Sequence, residues 1–249
     1  MMIERVDAVI LAGGGEIEPG TGVKGMLTIG SRMMVEYVIE ALYNSRYIDQ
    51  IVVVGPEAIK ENCIKQGLLF APPGNTILDS FSNGLEALNG SQSWILACTG
   101  DIPFLTPEAV DDFIDNCREK EADFYYPIIR KENAEKRFPG AKRTYATLQD
   151  GTFTGGNLFL LKREIVERCL SVAAEFVKHR KNPAALAKLV GFGMLWKYFF
   201  GQLTIAEAER RVSQLVGARG SAVITPYAEI GVDVDKPSDL ELAKELVCE

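Results

Sequence analysis

Four short stretches hold residues whose types and spacing could do chemistry. In the first, Leu11-Ala12-Gly13-Gly14-Gly15, a lysine follows nine positions on, at Lys24. Glycines at a strand's end let the backbone approach a phosphate chain, and a lysine behind them can neutralise its charge. The competing reading is a flexible turn. The spacing is not that of a Walker A loop, because Gly25 stands after Lys24 where Ser or Thr would be needed. Gly20-x-Gly22-x-x-Gly25 matches the dinucleotide fingerprint as a string, but it begins well after the apolar run that should precede it.

In the second stretch, Thr99-Gly100-Asp101-Ile102-Pro103, a carboxylate directly follows the apolar run Trp94–Cys98. An aspartate beside a phosphate-binding loop is a natural ligand for Mg²⁺, which takes few carboxylates and shares phosphate oxygens. A helix-entry turn is the alternative. The third is Gly231-Val232-Asp233-Val234-Asp235, where alternation puts Asp233 and Asp235 on one side of a strand. An Asp-x-Asp string also suggests a glycosyltransferase metal site, and an exposed strand edge would explain it equally simply. In the fourth, Gly151 to Asn157, the pair Gly155-Gly156 permits close ligand approach and Asn157 can hydrogen-bond a base or sugar. A hairpin turn competes with that reading.

Composition narrows the classes. The 249 residues are 47% hydrophobic and 24% charged, with 27 Lys and Arg against 34 Asp and Glu, a net charge of −7. That is ordinary globular composition, and it argues against a broad nucleic-acid surface. The single histidine, His179, sits in the charged run 178–181. A solvated helix face is its expected home, which sets aside histidine triads and most zinc sites. Five widely spaced cysteines without a C-x-x-C pair, and no basic segment leading into a signal-length apolar stretch, point to a reduced, cytoplasmic chain. The longest apolar region, 184–206, contains Lys188 and Lys197 and is not expected to span a bilayer.

The elements that must position these residues alternate. Val6–Leu11, Ile51–Val54 and Trp94–Cys98 read as buried strands. Met34, Val35, Val38, Ile39 and Leu42 mark a helix, 76–89 reads as another, and Thr106 with Pro107 opens a third. Strand–helix alternation implies right-handed crossovers and a parallel sheet, which places the loops at 13–24 and 100–103 on one rim. Further on, 124–129, 144–148, 156–161, 223–224 and 230–234 read as strands. Residues 164–216 read as a helical insertion or cap, and Ser238-x-x-Glu241 as a capping box whose helix buries Leu240, Ala243 and Val247. Arg130–Arg143, with six basic and two acidic residues, reads as a solvated loop or a cradle for an anion. The aromatic cluster Phe192, Leu195, Trp196, Phe199 and Phe200 is expected in the core, with a homodimer face or an apolar lid as alternatives.

Taken together, Leu11–Gly15, Lys24-Gly25-Met26-Leu27, Gly100–Pro103 and Asp235-Lys236-Pro237-Ser238-Asp239 resemble the MobA-like NTP transferases of the nucleotide-diphospho-sugar transferase, GT-A-like superfamily. The resemblance covers 6–160 and 220–247. It implies an α/β fold, Rossmann-like and three-layer α/β/α with a mainly parallel mixed central sheet, forming a single domain over 1–249 with 164–216 inserted. It implies a nucleotidyltransferase that moves an NMP group from an NTP to a phosphorylated small-molecule acceptor (a sugar or alditol phosphate, or a molybdopterin-type cofactor) and releases pyrophosphate. Leu11, Ala12, Gly13, Gly14, Gly15, Lys24, Asn75 and Asp101 would contact the nucleotide. Asp101 and Asp235, with Asp233 as substitute, would hold Mg²⁺ or Mn²⁺, and Lys24 and Asp101 would be catalytic. Gly156, Asn157 and Arg143 would meet the acceptor. One departure stands out: Glu16 and Glu18 lie where the family commonly has an arginine. That keeps open a catalytically degenerate nucleotide-binding protein, and the same fold keeps open a GT-A-type glycosyltransferase.

Overall fold

The computed structural model describes residues 3–90, 92–179 and 182–247. In chain order the elements are β1 (Val6–Leu11), β2 (Thr28–Ile29), β3 (Arg32–Met33), α1 (Met34–Tyr43), β4 (Ile48–Val54), α2 (Lys60–Lys65), β5 (Leu69–Ala71), α3 (Ile77–Ala87), β6 (Trp94–Thr99), α4 (Pro107–Arg118), β7 (Phe124–Arg130), α5 (Lys131–Arg137), β8 (Ala146–Leu148), β9 (Gly151–Gly155), β10 (Leu158–Lys162), α6 (Val166–His179), α7 (Pro183–Val190), α8 (Phe192–Phe199), α9 (Ile205–Val216), β11 (Gly220–Thr225) and α10 (Pro237–Val247).

The continuous apolar runs become the middle of the sheet because only strands covered on both faces can bury every side chain. Val9, Ile10, Val52, Val53, Ile95 and Leu96 are all fully buried. The strand order is β5-β4-β1-β6-β10-β7-β9-β8, with β11 also paired to β7. Strands β5, β4, β1 and β6 are parallel. The inserted β10 runs antiparallel to both β6 and β7, so β7 and its parallel partner β11 point the same way as β6. Helices α1 and α4 cover one face, and α3, α6 and α9 the other. The sheet is therefore mixed, mostly parallel and sandwiched between helices, as expected. Among the described residues no helix is long and apolar enough to cross a membrane.

Local sequence explains where the helices begin. Thr106 Oγ1 accepts from the Ala109 amide at 3.2 Å, with Pro107 at the first helical position, and the α4 stripe Val110, Phe113, Ile114 and Cys117 is fully buried. Thr76 with Asp79 and Thr204 with Glu207 form reciprocal capping boxes at α3 and α9. At the amino-terminal end of the sheet Asp7 is fully buried and paired with Arg163 at 2.8 Å, a structural role for the one charge in β1.

Four expectations need correction. Residues 230–234 are not a strand: a short 3₁₀ turn, Ala228–Gly231, leads into extended chain whose Val234 amide donates to the Asp101 carbonyl at 2.9 Å. The last helix begins at Pro237, and its entry is closed by Asp239, whose Oδ2 accepts from the Asp235 and Lys236 amides; Ser238 is no cap. Arg130–Arg143 is not all loop, since α5 forms there, anchored by the buried Phe138 packed on Phe104. The aromatics of α8 are not core, with Phe192, Trp196, Phe199 and Phe200 exposed by 70%, 66%, 78% and 58%. That helix packs mainly on its neighbour α7, and among the described residues its aromatic face is left uncovered. The expected helical run at 164–216 is present as α6 to α9 over the described residues.

Candidate active site

The carboxyl ends of β1 and β6 are hydrogen-bonded neighbours, with Leu11 opposite Thr99. The glycine loop and the Asp101 loop therefore leave the sheet side by side. Gly100 is required here by packing: a Cβ would stand 3.0 Å from both Cα and Cβ of Ala12. The loop after Gly15 folds back on itself, and the Lys24 amide donates to the Gly15 carbonyl at 3.2 Å. Gly20 and Gly22 take positive φ (86° and 83°) in that excursion, and Gly25 lies against the Ala12 backbone. These roles account for the glycine string without a dinucleotide. Gly14 and Gly15 face open space apart from the Lys24 side chain, while a Cβ at Gly13 would meet Pro73 of the 72–76 loop. Asn75 is exposed on that loop.

Lys24 is carried into a cluster of acids. Its ammonium pairs with Asp235 and stands 3.7 Å from Asp101 Oδ2. Asp101, Asp233 and Asp235 each offer an oxygen within 4.8 Å of the others. The expected same-sided placement of Asp233 and Asp235 is thus met, but by a turn after β11 instead of a strand. Asp233 is paired with Arg143, and both side chains are mostly buried, at 18% and 16% exposed.

Electrostatics follows from this crowding. Burial pushes the Asp101 carboxyl above the usual range, with Asp233 and Asp235 adding to the effect and Thr99 and Lys24 opposing it. Partial burial pulls Lys24 down, yet Asp235, Asp101 and Asp233 together overcome it and hold the ammonium above the ordinary lysine value. The Lys24 contact holds Asp235 below the usual carboxylate range. A divalent cation fits this donor set. All three ligands are hard oxygens, Asp101 Oδ1 is buried without a hydrogen-bond partner, and a side-chain cation already sits among them.

The other expected positions divide. Glu16 Oε2 accepts from the Gly20 amide at 2.8 Å, so that carboxylate closes its own loop. Asn157 lies on the same rim, but its amide and side chain both donate to the Ile230 carbonyl, at 2.9 and 3.3 Å. Gly156 is a packing glycine, because a Cβ would meet Ile230 and Pro127 at 2.7 and 2.8 Å. His179 is at the end of α6, 3.4 Å from Glu175 and outside the site. Cys63, Cys98, Cys117 and Cys169 are unpaired thiols, and Cys248 lies outside the described residues. The Arg143–Asp233 contact bridges ninety positions of sequence, and no local pattern marks it.

The family model of the MobA-like NTP transferase domain matches residues 8–191. The chain belongs to this family. The match takes in the glycine loop, Lys24, Asp101 and Arg143, while Asp233 and Asp235 lie beyond it. A protein named Probable molybdenum cofactor guanylyltransferase, from Natranaerobius thermophilus, is 32% identical over 133 residues, 51% of this chain and 62% of that relative. The chain thus spans somewhat less than two thirds of that relative's length. A solved structure described as a hypothetical transferase from Thermus thermophilus is 42% identical, covering 95% of this chain and 99% of its own, with a TM-score of 0.83. The 4-diphosphocytidyl-2C-methyl-D-erythritol synthase of Anaerococcus prevotii shares the fold at a TM-score of 0.58 and 14% identity, covering 99% of this chain and 97% of its own.

Proposed function

We propose that this MobA-like NTP transferase moves a nucleotidyl group from an NTP to a phosphorylated small molecule, with release of pyrophosphate. The observation that carries the proposal is the meeting of Lys24, Asp101, Asp233, Asp235 and Arg143 beside an open glycine turn. The guanylyltransferase relative makes GTP the first donor to test.

The exposed backbone from Gly13 to Gly15 leaves room for a phosphate chain to approach. Lys24, 3.7 Å from Asp101 Oδ2, would follow the triphosphate as it seats. Asp101, Asp235 and Asp233 would hold Mg²⁺, which when bound neutralises charge on the α-phosphate. Arg143, paired with Asp233 in this structure, would exchange that partner for the acceptor phosphate. That phosphate is already ionised at neutral pH, so attack needs no general base. The site has no histidine, and positioning and charge neutralisation would carry the rate.

The test is pyrophosphate release from GTP, CTP, ATP or UTP with Mg²⁺ and a panel of sugar, alditol and alkyl phosphates. Wild type should release pyrophosphate with one base, and the folded Asp101→Ala variant should lose most of that activity. Turnover of a nucleotide-sugar to NDP, with no pyrophosphate from any triphosphate, would overturn the reading in favour of glycosyl transfer.

A further inference from the structure

Two groups lay claim to Asp233. Arg143 Nη1 donates to its Oδ1 in a mostly buried ion pair. The same carboxylate offers an oxygen within 4.8 Å of oxygens of Asp101 and Asp235, the donor set that fits a divalent cation. The backbone decides which member of the ion pair is free to leave. Asp233 stands between Val232 and Val234, buried in two different apolar clusters, and the Val234 amide donates to the Asp101 carbonyl at 2.9 Å. The acid is thus pinned to the Asp101 loop. Arg143 comes from the chain between α5 and β8, where 141–145 has no regular structure. Its neighbours Ala141 and Tyr145 pack, partly buried, against the cluster that contains Val232, which brings the two side chains together.

The guanidinium is incompletely used in this pair. Arg143 Nε is buried and has no hydrogen-bond partner among the described residues. A charged donor left in that condition is costly, whereas a phosphate monoester has three oxygens and can accept from two guanidinium arms at once. Charge balance points the same way. Asp101, Asp233 and Asp235 face two side-chain cations, Lys24 and Arg143, which leaves one negative charge unmatched. With a divalent ion among them the balance reverses to one positive charge, and the cluster then attracts an anion.

We infer that Asp233 is a shared partner, bound by Arg143 or by the divalent cation but not by both, and that this exchange presents Arg143 to the phosphate of the acceptor. The inference rests on the cation site of the proposed function. It links the two ligands: cation and anionic acceptor each tighten the other by the same factor.

Two titrations without nucleotide or turnover test this: Mn²⁺ followed by electron paramagnetic resonance, and methyl phosphate followed calorimetrically. Arg143→Met should tighten Mn²⁺ roughly tenfold, because Asp233 no longer has to be won from the guanidinium. Asp233→Asn should bind methyl phosphate without any cation, where wild type needs Mn²⁺ to do so. Both results are gains of affinity, which a poorly folded variant cannot mimic. The double variant separates exchange from the mere removal of a nearby charge. In the Asp233→Asn background, Arg143→Met should leave Mn²⁺ affinity unchanged within about twofold. A tenfold gain that persists in that background would overturn the exchange and leave the cation site standing, as would no gain in Arg143→Met alone. Methyl phosphate binding equally well to wild type with and without Mn²⁺ would overturn it too. No Mn²⁺ binding by wild type would overturn the cation site and the exchange together. Intact exchange in a chain that releases no pyrophosphate from any triphosphate would support the exchange and count against nucleotidyl transfer alone.

Discussion

Lys24 stands among the three carboxylates that we propose hold a divalent cation, and the consequence can be worked out. Its ammonium is 3.7 Å from Asp101 Oδ2 and paired with Asp235, with a side chain only 16% exposed. One charge pair at that distance amounts to about 4.5 kcal/mol at an effective dielectric of 20 and about 1 kcal/mol in bulk water. The dehydration of the lysine offsets much of this. Lys24→Met should therefore lower stability by about 1–2 kcal/mol, or ~3–6 °C in unfolding temperature for a chain of this size. Three carboxylates would then be left with Arg143 as their nearest cation. Adding Mn²⁺ should reverse the order. The variant, with no ammonium competing for the site, should gain more from the metal than wild type does. Scanning calorimetry of both proteins across a Mn²⁺ series measures this, and paramagnetic relaxation of water gives the affinities independently. A variant as stable as wild type, or an identical Mn²⁺ response in the two, would refute the reasoning.

Three further outcomes are expected. Gly100→Ala should cost about 1–3 kcal/mol and also weaken nucleotide binding, because its Cβ pushes the Asp101 loop off Ala12. Gly84→Ala, which forces α3 off Val9 and Val54 at 2.7 and 2.8 Å, should cost a similar amount but leave the affinity of the remaining folded protein intact; urea unfolding with nucleotide titration separates the two. Asp123 pairs with Lys162 at 2.6 Å, and this contact holds its carboxyl below the usual range. A depressed folded value means its stabilisation is complete above the unfolded value near 4 and is lost as pH falls through the folded one. Asp123→Asn should thus destabilise the protein by about 2 kcal/mol at neutral pH, with the gap to wild type closing in unfolding curves below about pH 4. Arg143→Met should raise the acceptor KM in steady-state kinetics while leaving the NTP-dependent unfolding shift as it is; a lost NTP shift would place Arg143 on the nucleotide instead.

The central strands, and with them the glycine and Asp101 loops that follow β1 and β6, are legible because a strand buried on both faces must be apolar end to end and its loop must follow it. The same logic failed at 230–234, where alternation suggested a strand. Those apolar residues, Ile230, Val232 and Val234, are indeed buried, but under a turn, and the carboxylates still converge. Alternation reports which side chains face inward and says nothing of whether a neighbouring strand exists. The sequence marks Arg143 as a candidate for an anion but not its contact with Asp233, which lies ninety residues away on the far side of the helical insertion. Long-range pairs of this kind depend on sheet order, and the antiparallel placement of β10 between β6 and β7 leaves no local mark. The α8 aromatics illustrate a different limit. Hydrophobic periodicity identifies a face that wants cover, and only the packing of α7 shows that none is provided.

The most direct test of the account is thermal unfolding of wild type and Asp101→Ala with ATP, CTP, GTP, UTP and dTTP, each with and without Mg²⁺. Bound at about 100 times its dissociation constant, the right triphosphate should add roughly 2.7 kcal/mol. The account predicts that shift for wild type with one base and Mg²⁺, and its loss when either Mg²⁺ or the Asp101 carboxylate is removed. A shift that persists without Mg²⁺ and in Asp101→Ala, or no shift with any triphosphate, would contradict a metal-assisted nucleotidyltransferase site at this rim.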